Sequence, residues 1–164
     1  MLQIEAEREE DTLSFGRLLG ELVRPGDVIG LSGPLGAGKT VLVRGLAEGL
    51  GCDPERVRSP SFTLMVSYER GRLPLHHLDL YRLTPSEEDR LALREILFGT
   101  GVCAIEWFER FGEDLPHLSV EIGMVRSDSE STEPANRSHA RRIRLRASGD
   151  QYRPLIEMIR SKCP

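Results

Sequence analysis

Gly33-Pro34-Leu35-Gly36-Ala37-Gly38-Lys39-Thr40 is the most chemically pointed stretch of the chain. It matches the spacing GxxxxGK[ST], in which glycines let successive backbone N–H groups converge on phosphate oxygens. A helix opening inside such a loop adds positive potential at its N-terminus. Lys39 then reaches the outer phosphates of a nucleotide, and the Thr40 hydroxyl can hold Mg²⁺. By this chain's own composition a chance match has a probability of about two in a thousand. The lysine is informative in itself, because the chain has 20 arginines and only 2 lysines, Lys39 and Lys162. The loop reads as a nucleotide phosphate site rather than a glycine-rich turn.

Such a loop needs an acid for the metal and a group that directs water or a second substrate. Asp79 and Glu106 each sit at or near the end of a short apolar segment, Leu75–Leu80 and Val102–Ile105. In an open α/β sheet ligands gather at the carboxyl ends of strands, which would bring both acids to the phosphates. The plainer reading is that either one caps a helix or pairs with an arginine. The sequence leaves open which acid touches metal and which touches water.

Three other features compete for attention. His76 and His77 are adjacent, so on a strand they point to opposite faces and do not pair as metal ligands. His77 reads as a core histidine or one that supports a site side chain. Trp107, the single tryptophan, reads as a packing anchor, with its place beside Glu106 leaving a lid or partner contact open. Arg142, Arg144 and Arg146, with Arg141 beside them, read as a solvated strand face rather than an RNA contact, given the acidic overall balance.

Positioning the loop requires strand, glycine loop, helix, and the pattern supplies them. Val28–Leu31 is apolar and precedes the loop; Val43, Leu46, Ala47 and Leu50 share one helical face after it, ended by Gly51. Upstream, a short strand at Leu2–Ala6 leads to a helix capped at Thr12, carrying Phe15, Leu18, Leu19, Leu22 and Val23 and stopped by Pro25-Gly26. Downstream, 53–60 reads as a polar loop and Phe62–Ser67 as a strand. Thr84-Pro85-Ser86-Glu87 opens a helix with Thr at the cap and Pro at the first turn. Clean alternation appears only late, at Leu118–Met124 and Arg142–Ala147, a hairpin around a long, mobile polar tip at 126–139. A closing helix carries Tyr152, Leu155, Ile156 and Ile159.

Composition bounds the rest. Hydrophobic residues make up 39% of 164, which excludes disorder as a description of the whole and suits one core. The longest apolar run is four residues, Val102–Ile105, too short to span a bilayer. An acidic N-terminus does not resemble a targeting peptide. Three scattered cysteines argue against a disulfide scaffold or a zinc site and for a reducing, cytoplasmic setting. The net charge of -4 offers no global basic field for nucleic acid. The expectation is a single domain over 1–164. It is an α/β fold of the three-layer P-loop NTPase type, its sheet mostly parallel with an antiparallel C-terminal hairpin (118–147) at one edge.

Four segments in order, Gly33–Thr40, Ser59-Pro60-Ser61-Phe62-Thr63-Leu64, His77-Leu78-Asp79-Leu80-Tyr81-Arg82-Leu83 and Ile105-Glu106-Trp107, resemble the TsaE (formerly YjeE) family. These are bacterial ATPases required for threonylcarbamoyladenosine synthesis in tRNA. Thr12-Leu13-Ser14-Phe15-Gly16 also resembles the family's first helix, where the Thr lies near the nucleotide. The resemblance implies ATP and Mg²⁺ as cofactors, bound by Thr12, Leu35, Gly36, Ala37, Gly38, Lys39 and Thr40. It implies Lys39, Asp79 and Glu106 as catalytic groups, with Thr40, Asp79 and Glu106 on the metal side. Ser61 and Thr63 would form a switch that senses the γ-phosphate. It also implies a TsaB–TsaD-type partner pair, contact with tRNA only through that complex, and no membrane. The chain departs from the family pattern at Pro34 (usually Asp), Ser61 (usually Thr) and Phe108 (commonly Pro). The loop alone equally serves a small-molecule kinase, but the one long mobile segment is mixed in charge and late in the chain, unlike a basic lid. A nucleotide-gated binding module that scarcely hydrolyses ATP is the third reading.

Overall fold

The computed structural model describes residues 1–60, 63–82, 86–97, 99–111, 115–125 and 140–163. In chain order these form β1 (Leu2–Ala6), α1 (Glu9–Leu22), β2 (Val28–Ser32), α2 (Lys39–Leu50), β3 (Met65–Tyr68), β4 (Leu75–Asp79), α3 (Glu87–Leu97), β5 (Val102–Glu106), β6 (His117–Met124), β7 (Arg141–Ser148) and α4 (Arg153–Lys162). All the strands join one seven-stranded sheet in the order β1-β7-β6-β2-β5-β4-β3. Its centre, β6-β2-β5-β4, is parallel. The antiparallel strands flank it, β7 and β1 on one side and β3 on the other. The expected hairpin is present, but it is not outermost: β6 runs parallel to β2 and β1 adds itself outside β7.

Side-chain alternation builds two apolar layers on the sheet. Ile29, Leu31, Leu75, Val102 and Ala104 face a cluster with Phe15 and Leu19 of α1, Leu42 and Leu46 of α2 and Ile156 and Ile159 of α4. Val28, Leu78, Cys103 and Ile105 face the other way, against Leu93 and Leu97 of α3 and against Phe111. The same parity decides where the charges go. His77 and Asp79 follow Leu75 at steps of two, and Glu106 follows Ala104, so all three lie on the α2 side of the sheet.

Helices α1 and α2 meet backbone to backbone. A Cβ at Gly16 would stand 2.3 Å from the Leu42 carbonyl oxygen, at Gly20 2.4 Å from that of Leu46, at Gly45 2.1 Å from that of Leu13 and at Gly49 2.1 Å from that of Arg17. Each helix thus presents a glycine pair four residues apart. Around this seam Arg17 pairs with Glu48 at 3.0 Å, and the Arg72 guanidinium donates to the Gly20 and Val23 carbonyls at the end of α1.

Two helix starts differ from expectation. α1 begins at Glu9, where the Arg8 N–H donates to the Asp11 carboxylate at 2.9 Å, so Thr12 lies a turn inside the helix and is buried. The acidic first turn, Glu9 to Asp11, suits the positive end of the helix and moves the start upstream. At α3 the cap is a reciprocal pair, with the Asp89 N–H donating to Ser86 Oγ at 3.1 Å and the Ser86 N–H donating to Asp89 at 2.9 Å. Thr84, Pro85 and the tip 126–139 lie outside the described residues, as do Ser61 and Phe62 of the expected third strand, which is described from Met65.

Gly45→Ala is expected to destabilise the fold by about 3 kcal/mol, at the upper end of overpacking costs, because the Cβ would meet backbone rather than a movable side chain. The control is Gly123→Ala, where the nearest atom is the Arg142 carbonyl oxygen at 3.9 Å. Urea midpoints check it; equal, small shifts for both variants would show that the helices simply part.

Candidate functional site

The loop between β2 and α2 turns by means of glycines. Gly33 holds φ at 133° and Gly38 at 104°, values that side chains rarely adopt. Gly33 also passes so close to β6 that a Cβ would lie 2.2 Å from the Ile122 carbonyl oxygen. Gly38 is the residue before α2, and no side chain caps that helix end. Its first N–H groups therefore point toward the loop with no side-chain acceptor.

Lys39, 4% exposed, folds over this loop. Its Nζ donates to the carbonyl oxygens of Gly33 at 2.7 Å and Pro34 at 2.9 Å, and lies 4.0 Å from the centre of the Trp107 ring. Burial holds the ammonium below the ordinary lysine pKa, against the opposing pull of the Glu106, Glu109 and Asp79 carboxylates. Next along α2, Thr40 Oγ1 donates to Glu106 Oε1 at 2.7 Å. The same oxygen is 3.0 Å from His77 Nε2. Asp79, opposite Glu106 in the β4–β5 register, accepts from Ser59 Oγ and, at 2.9 Å, from the Tyr81 N–H. Glu106 and Asp79 are both buried, at 3% and 8% exposure.

Trp107 closes one wall. Its φ of 58° makes it the one non-glycine residue with positive φ among those described. Its ring packs against Tyr81 at 4.9 Å, with the Arg110 guanidinium over both rings and donating to the Tyr81 carbonyl.

These groups enclose a cavity of about 460 Å³. Thr12, Leu35, Gly36, Ala37, Gly38, Lys39, Thr40, Asp79 and Glu106 all line it, so these nine candidate residues are brought to one place. Thr63 does not line it, and Ser61 lies outside the described residues. Ser59, Tyr81, Arg82, Glu9 and Arg141 line it without having been singled out. Arg141 was grouped beside the arginine stripe, yet it shares the parity of Ile143 and turns inward, its Nε donating to the Ala37 carbonyl oxygen at 3.0 Å. Strand parity was the available signal. The stripe itself is a solvated face, Arg142 pairing with Glu5 and Arg144 with Glu121.

The cavity has the attributes of a nucleotide phosphate site. The buried Thr12 Oγ1 has no hydrogen-bond partner, although it lines the cavity. Among the described residues no group of three His, Cys, Asp or Glu side chains forms a metal cage. The oxygen donors that Thr40, Asp79 and Glu106 bring to the cavity fit Mg²⁺, which is commonly held by one or two carboxylates together with substrate phosphates.

Comparison with known proteins agrees with this geometry. The family model described as "Threonylcarbamoyl adenosine biosynthesis protein TsaE" matches residues 6–137. The chain belongs to the TsaE family. It is 39% identical over 150 residues to the tRNA threonylcarbamoyladenosine biosynthesis protein TsaE of Bacillus subtilis, covering 92% of this chain and 88% of that one. It is 46% identical over 116 residues to the Treponema pallidum protein of the same name, covering 70% and 84%. The crystal structure of Bacillus subtilis YdiB superposes with a TM-score of 0.78 at 33% identity, over 98% of this chain and 95% of that one. Family membership places the chain in threonylcarbamoyladenosine biosynthesis, and the fold is the expected P-loop α/β fold.

Because the chain has two lysines, protein labelled with [¹³Cε]-lysine should show two side-chain signals. The one removed by Lys39→Arg is expected to titrate below the ordinary lysine value of about 10.4, since burial disfavours its charged form. A Lys39 signal titrating above that value would mean that the neighbouring carboxylates outweigh burial.

Proposed function

We propose that this chain binds ATP with Mg²⁺ and hydrolyses it in support of threonylcarbamoyladenosine modification of tRNA. It does so in the cytoplasm, with a TsaB–TsaD-type partner pair. The observation that carries the reading is the Thr40–Glu106 hydrogen bond at the open N-terminus of α2. By donating its proton to Glu106, the Thr40 hydroxyl keeps its lone pairs free to coordinate a metal. The loop and helix N–H groups bind phosphate oxygens, and the Lys39 ammonium transfers its donors from the Gly33 and Pro34 carbonyls to the outer phosphates. Thr12 supplies a hydroxyl at the α1 wall. Thr40 with Asp79 or Glu106 would hold Mg²⁺. When bound, the metal neutralises charge that develops on the phosphoryl oxygens. Family membership supports the process, and the cavity supports the nucleotide. No described helix is long and apolar enough to cross a membrane.

Glu106 is assigned chiefly to turnover, meeting the metal or its waters, and Asp79 is assigned the tighter metal contact. A fixed carboxylate at the phosphate end acts most strongly as charge shifts during γ-phosphoryl transfer, and so lowers the barrier more than it tightens ground-state binding. Glu106→Gln is therefore expected to bind ATP while hydrolysis with the partner pair falls roughly a hundredfold, as for loss of one positioned electrostatic group. Asp79→Asn weakens Mg²⁺-dependent binding, and Lys39→Ala removes phosphate-dependent binding. Calorimetry with ATP, with and without Mg²⁺, and phosphate release check all three. Parent-rate hydrolysis by Glu106→Gln would remove Glu106 from this role. Phosphate released without an acceptor favours the ATPase, whereas dependence on a small-molecule acceptor favours a kinase.

A further inference from the structure

His77 is fully buried on β4, opposite Ala104 of β5, two residues before the Asp79–Glu106 pair and on the same face. Its Nε2 lies 3.0 Å from Glu106 Oε1, and an ionised carboxylate only accepts, so Nε2 is the nitrogen that carries hydrogen. Thr40 Oγ1 donates to that same oxygen at 2.7 Å from the α2 side. Two donors from two elements thus converge on Oε1 and fix the carboxylate in both its swing and its rotation. Glu106 lines the cavity, and with Oε1 held twice, Oε2 is the oxygen left for it.

A histidine kept only for packing would be expected to satisfy both ring nitrogens, as most buried polar atoms do. His77 does not: Nδ1 is buried with no hydrogen-bond partner. The ring is held at a cost by the side that touches Glu106. We propose that His77 is a positioning residue, holding Glu106 from behind so that its free oxygen is presented to metal or water in the cavity. The inference rests on the reading of the cavity as a Mg²⁺–ATP site.

Side-chain length provides the test. The amide nitrogen of Gln falls where Nε2 of His lies, whereas that of Asn falls at the Nδ1 position, short of Glu106. Both variants place the same polar amide in the same buried site, so a defect of packing strikes both and a defect of positioning separates them. The full chain carrying His77→Asn should lose tenfold or more in kcat with the partner pair, within the 10–100-fold range usual for partners of metal ligands. Its KM for ATP should stay within about twofold, because the loop is untouched. Mn²⁺ affinity of the ADP complex, read by electron paramagnetic resonance, should fall with it. His77→Gln should recover most of both. Added to Glu106→Gln, His77→Asn should cost nothing further, since it acts through that side chain.

Equal damage by Asn and Gln, parent-like kcat and Mn²⁺ affinity in His77→Asn, or additive losses in the double variant would each overturn the proposal. A parent protein that binds no ATP in the presence of Mg²⁺ would instead sink the reading of the cavity, and this inference with it. That failure is seen before any variant is made.

Discussion

The backbone contact between α1 and α2 is the constraint on which the cavity depends. A helix pair separated by ordinary side chains can slide or tilt by small repacking. Here Gly16 and Gly20 of one helix and Gly45 and Gly49 of the other bring Cα surfaces against carbonyl oxygens, at distances no side chain can enter. The weak C–H···O contacts this allows are individually small, but they fix the register of one helix on the other. Since α2 carries the phosphate loop at its N-terminus, fixing α1 on α2 also fixes Thr12, which is 3.8 Å from where a Gly38 Cβ would be. Arg72 strengthens the arrangement by donating to the last carbonyls of α1, which otherwise have no partner inside the helix.

Opposite that wall stands an arrangement of buried charge. A carboxylate or ammonium taken from water is costly unless its hydrogen bonds are replaced. Glu106 receives Thr40 and His77, Asp79 receives Ser59 and the Tyr81 backbone, and Lys39 is shared between two loop carbonyls and the Trp107 ring. Each charge is held by groups that already lie where they are needed. The parallel register accomplishes this with few residues: it sets Asp79 beside Glu106, and two residues back on the same face it sets His77 behind it.

The parts legible in the sequence were those encoded locally. The glycine loop needed only its own spacing and the apolar strand before it, and the side of the sheet for Asp79 and Glu106 follows from parity within single strands. What escaped reading depends on distant partners. The place of β1 outside β7 is a pairing across most of the chain, and nothing in Leu2–Ala6 specifies it. Arg141 reaches Ala37 from more than a hundred residues away, so its inward parity was legible but the carbonyl it meets was not. Thr12 looked like a cap because Thr suits that position, but the acids before it suit the positive helix end better. The glycine pairs of α1 and α2 acquire their meaning as a seam only with the two helices in contact.

Rigidity and strain are therefore divided between the two walls. On the α1 side the contact is close but unstrained, because glycine meets the short distances without distortion. On the other side Trp107, directly after Glu106, holds a left-handed backbone that costs a non-glycine residue on the order of 1 kcal/mol or more. The cation contact to Lys39 and the ring contact to Tyr81 offset it, with Arg110 closing the stack. The contact to Lys39 is made by the same ammonium that a phosphate would engage. Whatever draws Lys39 away from the ring also removes part of what holds Trp107 in its left-handed turn, and Trp107 is joined through one peptide bond to Glu106. Lys39 and Glu106 are thus linked by backbone geometry as well as by charge, whereas the α1 wall holds no strained residue among those described.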